Sequence, residues 1–327
     1  MKIRFGVVGT GWITDKFIDA CKKVPNVEVT SIYSRDISRA ENFSKKHDLK
    51  HYYDNIEDMC SSGEVDAVYL GSPNTCHLSQ SIVCFKNKLN VICEKPLAAN
   101  AEQAKMMIES AKEHHCVLFE AMRITSSPVF RAIVNNIDKI GKIHKYISNF
   151  CQYSSKYERF IEGQNFCSLD WKTAGGCLMD IGCYCIYPMI ILFGFPKTIN
   201  AIGTLGRTDV DLEASIICGY DNQMSSVLIS SKMTNNVSGS EIQGENGTIV
   251  IDKMSTMNSA KIYYRDGNIE ELYTSKEEND LVYEIQEFYD IVLTGKMESD
   301  INTLQNSYDT MRVLDIARKQ IGVRMDF

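Results

Sequence analysis

The sequence predicts an α/β protein in which a doubly wound parallel sheet comes first and an α+β domain follows. Three observations lead to this fold class. The chain has 327 residues, which is more than a single ordinary core usually holds and suggests two domains. Apolar strand-like runs alternate with amphipathic helix-like segments up to residue 120, as in a doubly wound sheet. After Arg123 the alternation stops and strand-like runs dominate.

The elements of the first part follow from hydrophobic periodicity. The first strand is predicted over 3–8, because this apolar, β-branched run ends in glycines. A helix follows, since Ile13, Phe17, Ile18 and Cys21 recur at helical spacing. The remaining predicted elements are a strand at 27–35, a helix at about 37–47, a strand at 67–72, a helix through Ile82 and Phe85, a strand at 90–94, a helix at about 101–114 and a strand at 116–120.

The second part carries the pattern of an α+β partner domain. Its strand-like runs lie at 142–150, 198–206, 213–220, 224–232 and 248–253.

Composition excludes several classes of protein. The net charge of −7, without any block of lysine or arginine, argues against a nucleic-acid partner. Apolar runs such as 189–193 are far shorter than the roughly 20 residues of a membrane helix, and the apolar run at the N-terminus is too short for a signal peptide. The twelve cysteines are scattered without C-x-x-C or matching histidine spacing, so we expect free thiols, a cytoplasmic location and no metal site.

The turn Gly9-Thr10-Gly11 lies where the first strand passes into the first helix. Glycines there allow a tight turn and close approach to a pyrophosphate, which the N-terminus of the helix attracts. Thr14 stands where the dinucleotide-binding fingerprint has its third glycine, so the motif alone is a weak signal. We nevertheless predict that this turn and the following Trp12 and Ile13 bind a dinucleotide.

The end of the second strand bears on the choice of cofactor. An NAD enzyme usually has a carboxylate here for the ribose diol, whereas this chain has Ser34 and Arg35, with Arg39 one helical turn further on. A hydroxyl and guanidinium groups suit a 2′-phosphate, so the sequence favours NADP, with NAD as the alternative. The alternative is that these basic residues are ordinary solvated side chains at the start of a helix, with their charge partly offset by Asp36.

Two further turns follow predicted strands, at 71–77 and 93–98. Ligands of open α/β sheets bind at the carboxyl ends of the strands, so these turns are candidate cofactor contacts. Pro96 ends its strand, and Glu94 and Lys95 would face the crevice. The residues predicted to contact cofactor here are Ser72, Pro73, Asn74, His77, Glu94 and Lys95.

Six segments in order make the chain similar to the glucose-fructose oxidoreductase, inositol dehydrogenase and MocA family. They are "GVVGTGWI", "YSRDISRA", "GSPNTCH", "CEKPLA", "FEAMR" and "GGCLMDIGCY". The branch that it most resembles holds the dimeric dihydrodiol dehydrogenases and NADP-dependent sugar dehydrogenases. The resemblance implies a Rossmann domain, here 1–122, and a C-terminal domain with a large, mostly antiparallel sheet, here 123–327. It also implies a homodimer or homotetramer formed through that sheet.

The resemblance further implies that Lys95, Asp180 and Tyr184 act on the reacting carbon of the substrate. Many relatives have histidine where this chain has Tyr184. Tyrosine ordinarily titrates near pH 10, and a nearby ammonium would favour the phenolate that hydride transfer from an alcohol requires. Asp180 would position Lys95 or bind a substrate hydroxyl. The alternative is a helix N-cap beside a packed aromatic ring.

Weaker candidates surround these residues. Trp171 and Lys172 stand where relatives have Trp-Arg near the cofactor. The glycine pair at 175–176 would leave room for cofactor or substrate, and Pro188 predicts a local kink. Candidate substrate contacts, for which ordinary surface packing is an equal alternative, are Arg123, Tyr153, Tyr157 and Arg159.

Three functions remain open on the sequence. The first is an NADP-dependent dehydrogenase that transfers a hydride between the cofactor and a sugar, cyclitol or dihydrodiol. The second is a dinucleotide-binding sensor on the same fold, because fold does not fix function. The third is an NAD-dependent glycosidase, which would fit a carboxylate after the second strand and a histidine in the D-I-G segment.

Overall fold

The computed structural model describes residues 2–327, and its contacts divide the chain into two compact units. The first comprises the residues up to Arg123 together with Asn279–Ser307, and the second comprises Ile124–Glu278 together with Tyr308–Phe327. The predicted domains, 1–122 and 123–327, differ from these units mainly in the segment 279–307, which groups with the first unit. The division into domains at residue 122 stays a prediction.

The first unit is built on six parallel strands in the order β3-β2-β1-β4-β5-β6, which is that of a doubly wound dinucleotide-binding sheet. The direction of winding reverses between β1 and β4, so ligands are expected at the carboxyl ends of these two strands. The strands are β1 (Ile3–Val8), β2 (Val27–Tyr33), β3 (His51–Tyr53), β4 (Ala67–Leu70), β5 (Asn90–Glu94) and β6 (Leu118–Ala121).

The helices of this unit between the strands are α1 (Trp12–Cys21), α2 (Ile37–His47), α3 (Ile56–Ser61), α4 (His77–Lys86) and α5 (Ala101–His114). Every predicted strand and helix of this part is present. The sequence analysis did not predict β3 and α3, because elements of 3 and 6 residues are too short to show a period.

The second unit is built on eight strands in the order β14-β13-β12-β11-β7-β10-β9-β8. Neighbouring strands are antiparallel except for the parallel pair β7 and β10, so the predicted fold class is confirmed. The strands are β7 (Ile143–Cys151), β8 (Thr198–Leu205), β9 (Asp211–Gly219), β10 (Ser225–Ser231), β11 (Ser240–Gly244), β12 (Gly247–Ile251), β13 (Ser259–Tyr264) and β14 (Ile269–Thr274).

The remaining helices are α6 (Arg123–Ser126), α7 (Pro128–Asn136), α8 (Tyr157–Ile161), α9 (Cys183–Phe193), α10 (Leu281–Thr294) and α11 (Leu304–Ile321). Aromatic packing explains why α10 belongs to the first unit. The ring of Phe288 in α10 lies 5.6 Å from that of Phe5 in β1 and 6.3 Å from that of Phe119 in β6. The amphipathic α10 therefore contributes to the hydrophobic core of the parallel sheet.

Helix α9 does not end or break at Pro188. It runs continuously from Cys183 to Phe193, and the departure from α geometry lies just before it, in a π-helical turn at Leu178–Gly182. Proline removes one backbone hydrogen bond, but residues 183–190 are all buried, so packing holds the helix together. The kink predicted at Pro188 therefore does not interrupt the helix, and the π-helical turn at Leu178–Gly182 was not predicted.

One stretch of residues 2–327, Trp171–Phe193, is long and apolar enough to cross a membrane. Within this fold 78% of its apolar window is buried. A buried core helix of a soluble protein has the same composition, so the stretch is weak support for a membrane span.

Candidate active site

The turn after β1 requires glycine for steric reasons. Gly9 has a φ of +99°, and a Cβ added there would lie 2.7 Å from the carbonyl oxygen of Gly71. Gly11 precedes α1 in extended conformation, and its side of the turn is open, with no atom within 4 Å of an added Cβ. Because no side chain caps the first turn of α1, its backbone N–H groups can bind an anion. The arrangement fits the pyrophosphate of a dinucleotide.

The turn after β2 presents cationic side chains to solvent. Asp36 caps α2 by accepting hydrogen bonds from the N–H groups of Ser38 and Arg39. Its carboxylate also lies 3.7 Å from the guanidinium of Arg39. Arg35 is exposed and makes no ion pair within residues 2–327, so its guanidinium can bind a 2′-phosphate.

The turn after β5 is organised around the partly exposed Glu94. The phenol of Tyr69 donates to Oε1 of Glu94 at 2.6 Å, and the backbone N–H of Lys95 donates to Oε2 at 3.2 Å. Loss of surrounding water raises the pKa of Glu94, and Lys95, Tyr69 and Arg123 partly offset this effect. Two hydrogen bonds therefore fix the carboxylate of Glu94 next to the backbone of Lys95.

His77 joins the two turns at the carboxyl edge of the sheet. Its side chain is fully buried, with Nδ1 3.2 Å from the carbonyl oxygen of Leu97 and Nε2 3.0 Å from that of Ser72. Both partners are acceptors, so the imidazolium can satisfy both, whereas a neutral ring can donate to one. Burial opposes the charge and lowers the pKa of His77. His77 thus joins the two turns, and its contact with the cofactor stays a prediction.

Replacing His77 with leucine tests this role. We expect a loss of about 1–3 kcal/mol in the free energy of unfolding, because burial favours the neutral ring, which donates to one carbonyl, and a buried carbonyl that loses its donor costs about 1–3 kcal/mol. We also expect a higher KM for NADP, since the two turns are no longer tied together. Denaturant unfolding and steady-state kinetics measure the two effects, and exposed His144 supplies the matched control, His144→Leu. Wild-type stability and KM in His77→Leu would contradict the assignment.

The glycine pair before the D-I-G segment packs against the chain itself. Gly176 has a φ of +116°, and a Cβ added there would collide with Oδ1 of Asp211. A Cβ on Gly175 would lie 2.6 Å from the carbonyl oxygen of Cys167. The pair therefore accommodates Cys167 and Asp211 in the folded chain, and not cofactor or substrate as the sequence suggested.

Asp211 anchors the π-helical turn. It is fully buried, and its Oδ2 accepts a hydrogen bond of 2.6 Å from the N–H of Leu178. Burial raises the pKa of Asp211 to about 6, although the bond from Leu178 lowers it. The first residue of the turn is thereby fixed to the start of β9.

Asp180 lies on this turn and pairs with a residue that the sequence analysis overlooked. Lys232 directly follows β10 and donates a very short bond to Oδ2 of Asp180. The side chain of Lys232 is 6% exposed, whereas that of Asp180 is 39% exposed. In the sequence, Lys232 is the last residue of the strand-like run at 224–232. A single charged residue at the end of this run was the only signal that could have pointed to it.

Tyr184 lies in the first turn of α9 and is 6% exposed. Its ring packs edge-on against Phe150, with centroids 5.7 Å apart. The first unit carries Lys95, and the second carries Asp180 and Tyr184.

The weaker candidates divide between the units. In the first, Arg123 forms an ion pair of 3.0 Å with Asp280. In the second, the guanidinium of Arg324 stacks 3.8 Å from the ring of Trp171, and Lys172 is exposed. Tyr153 and Tyr157 pack edge-on at 5.6 Å, and the guanidinium of Arg159 lies 5.1 Å from the ring of Phe166. Several of these residues therefore already have structural partners.

Comparisons with known proteins place the chain among oxidoreductases. A family model described as an oxidoreductase family with an NAD-binding Rossmann fold matches residues 3–122, and the GFO/IDH/MocA C-terminal domain model matches residues 131–250. A scyllo-inositol 2-dehydrogenase (NADP(+)) of Bacillus subtilis is 38% identical over 98% of this chain and 98% of its own length. A trans-1,2-dihydrobenzene-1,2-diol dehydrogenase of Xenopus tropicalis is 29% identical over 99% of both chains.

Solved structures share the fold. A levoglucosan dehydrogenase with NADH and levoglucosan superimposes with a TM-score of 0.88 at 18% identity, over 98% of this chain and 97% of the other. A 3-ketoreductase from Actinomadura kijaniata with NADP and TDP-benzene gives a TM-score of 0.85 at 21% identity, over 98% of each chain. At these identities the similarity concerns the fold alone.

Proposed function

Because the chain belongs to the glucose-fructose oxidoreductase, inositol dehydrogenase and MocA family, we propose that it is an NADP-dependent oxidoreductase acting on a sugar, cyclitol or dihydrodiol. The reaction interconverts a hydroxyl and a carbonyl group by hydride transfer. The relatives named above for scyllo-inositol and dihydrobenzenediol support this range of substrates. Within the chain, the observation that carries the choice of NADP is the turn after β2, where exposed Arg35 stands beside Ser34.

The first unit holds most of the residues proposed to bind NADP. The turn Gly9-Thr10-Gly11, with Trp12 and Ile13 after it, would receive the pyrophosphate at the N-terminus of α1. Ser34, Arg35 and Arg39 would bind the 2′-phosphate. Ser72, Pro73, Asn74 and Glu94 belong to the turns that would border the nicotinamide, and Trp171 and Lys172 remain proposed contacts on the resemblance alone. When bound, the nicotinamide supplies the hydride acceptor or donor.

The proposed catalytic residues are Lys95, Asp180 and Tyr184. Oxidation of a hydroxyl needs a group that takes its proton, and the reverse reaction needs a group that returns it, for which we propose the phenol of Tyr184 or the amine of Lys95. Asp180 already has a cationic partner in Lys232, which supports a role in accepting a hydrogen bond from a substrate hydroxyl. Arg123, Tyr153, Tyr157 and Arg159 are proposed substrate contacts.

We further propose a homodimer or homotetramer formed through the eight-stranded sheet. One face of the sheet exposes Ile202 of β8, Ile217 of β9 and Ile229 of β10, which the strand register places on the same side. These side chains are 75%, 56% and 38% exposed, an unusual concentration of β-branched apolar surface. A cytoplasmic location is proposed because all twelve cysteines are free thiols.

Sedimentation tests the oligomer. The wild type is expected to sediment as a dimer or tetramer, and Ile217→Lys as a smaller species, because a charge in an apolar interface is costly. The matched control is Leu293→Lys, which changes an exposed apolar residue of α10. A monomeric wild type would contradict the proposal.

The proposed function is tested by following reduced nicotinamide absorbance with NADP and with NAD, over a panel of inositols, aldoses and dihydrodiols. Turnover with NADP on at least one compound is the expected result. Cofactor binding without turnover on any of them would favour a sensor, and cleavage of a glycosidic bond with NAD would favour a glycosidase. A preference for NAD would contradict the assignment of Ser34 and Arg35.

A further inference from the structure

Lys232 is a buried lysine with a fixed backbone. The residue as a whole is 5% exposed. Its N–H donates to the carbonyl oxygen of Leu212 at 2.8 Å, and its own carbonyl oxygen accepts a bond of 2.9 Å from the N–H of Ser154. These bonds hold the end of β10 between two other segments of the unit. The Lys232 side chain therefore extends from a backbone segment that these two hydrogen bonds hold in place.

The charges around Lys232 show where its ammonium acts. The ammonium interacts electrostatically with three neighbours, which are Asp180, Asp211 and Cys177. The positive charge of Arg318 also lowers the pKa of Asp211. The nearby carboxylate of Asp211 is engaged by the backbone of Leu178, whereas that of Asp180 forms the ion pair with Lys232. A buried ammonium without a partner would be costly, so this pair fixes both groups.

The pair is asymmetric with respect to solvent. Lys232 is covered, while the Asp180 side chain keeps 39% of its surface exposed. An ionised carboxylate has about four acceptor positions. One oxygen is held by Lys232, and the exposed part of the carboxylate can be reached by a ligand hydroxyl.

We propose that Lys232 is a positioning residue for the reaction. It holds the carboxylate of Asp180 in one orientation, so that its exposed side accepts a hydrogen bond from a substrate hydroxyl. The inference rests on the proposed function, in which Asp180 meets the substrate. Asp180 lies on a π-helical turn, a backbone feature that is frequent at functional sites.

The test compares Lys232→Met with Lys232→Arg in the full-length enzyme, using kcat/KM for the substrate as a function of pH. Loss of the positive charge makes a neighbouring carboxylate harder to ionise, so the acid side of the Lys232→Met profile shifts to higher pH. We expect kcat/KM to fall by about 10- to 100-fold, the loss typical of a reacting group displaced by about 1 Å. KM for NADP stays near its wild-type value, and Lys232→Arg restores the pH profile.

Two controls separate positioning from folding. Lys261→Met removes a half-exposed lysine of β13 that pairs with Glu271, and is expected to leave the profile unchanged. In an Asp180→Asn background, Lys232→Met is expected to cause little further loss, because the two residues act as one unit. Should Lys232→Met fail to fold in a thermal melt, Lys232→Gln against Lys232→Arg gives the same comparison.

An unchanged acid side, or a loss that adds fully to that of Asp180→Asn, would overturn the inference while leaving the proposed function intact. A wild type without turnover on any substrate would remove the proposed function and this inference with it.

Discussion

Tyr184→Phe is expected to lower kcat by about 10²- to 10⁴-fold, the contribution typical of a positioned acid–base group. The substitution removes one hydroxyl and keeps the ring that packs at 5.7 Å against Phe150, so the fold should be retained. Lys95→Met is expected to cause a loss of similar size, because this variant removes the other group proposed to exchange the substrate proton. Single-turnover kinetics with saturating NADP measure the chemical step directly.

The matched control is Tyr187→Phe, which removes the hydroxyl of a fully buried tyrosine in the same helix. It is expected to keep kcat close to the wild-type value. If Tyr184→Phe kept more than half of the wild-type rate, tyrosine would not be the proton-transfer group. If Lys95→Met alone lost activity, that role would pass to Lys95.

Arg35→Ala is expected to raise the Kd for NADP by about 10- to 150-fold, since a hydrogen bond to a charged group contributes about 1.5–3 kcal/mol. The Kd for NAD, which lacks the 2′-phosphate, should change little. Arg35 is exposed, and we expect Arg35→Ala to fold like the wild type, because surface substitutions usually alter stability by less than about 0.5 kcal/mol. Titration of both cofactors by calorimetry gives the two constants.

Arg265→Ala, which removes an exposed arginine of the second unit, is the control for a general loss of positive charge. It should leave both constants unchanged. Equal losses of NADP and NAD affinity in Arg35→Ala would show that Arg35 does not bind the 2′-phosphate. Tighter binding of NAD than of NADP by the wild type would contradict the cofactor assignment itself.

The parallel sheet was predictable because its buried strands and amphipathic helices leave strong periodic signals. The position of α10 was not, since an apolar stripe through Leu281, Ile285 and Phe288 shows that the helix is buried but not which core it joins. Contacts in the folded chain, such as those of Phe288 with Phe5 and Phe119, make that choice.

The candidate site shows the same limit more sharply. Motifs single out Lys95, Asp180 and Tyr184, because segments that resemble those of the family occur in the family's order along the chain. The ion pair between Asp180 and Lys232 joins residues 52 positions apart, and sequence periodicity carries no information about it. The glycine pair failed as a prediction for a related reason: glycine marks close approach, but the group that approaches Gly176 is Asp211.

Transfer of deuterium tests the central claim most directly. A substrate found in the panel is labelled with deuterium at the carbon that bears the reacting hydroxyl, incubated with NADP and the wild-type enzyme, and the reduced cofactor is analysed by mass spectrometry. Hydride transfer predicts that NADPH carries the label and that Tyr184→Phe forms the same labelled product far more slowly. Unlabelled NADPH, or product formed without any change in the cofactor, would contradict it.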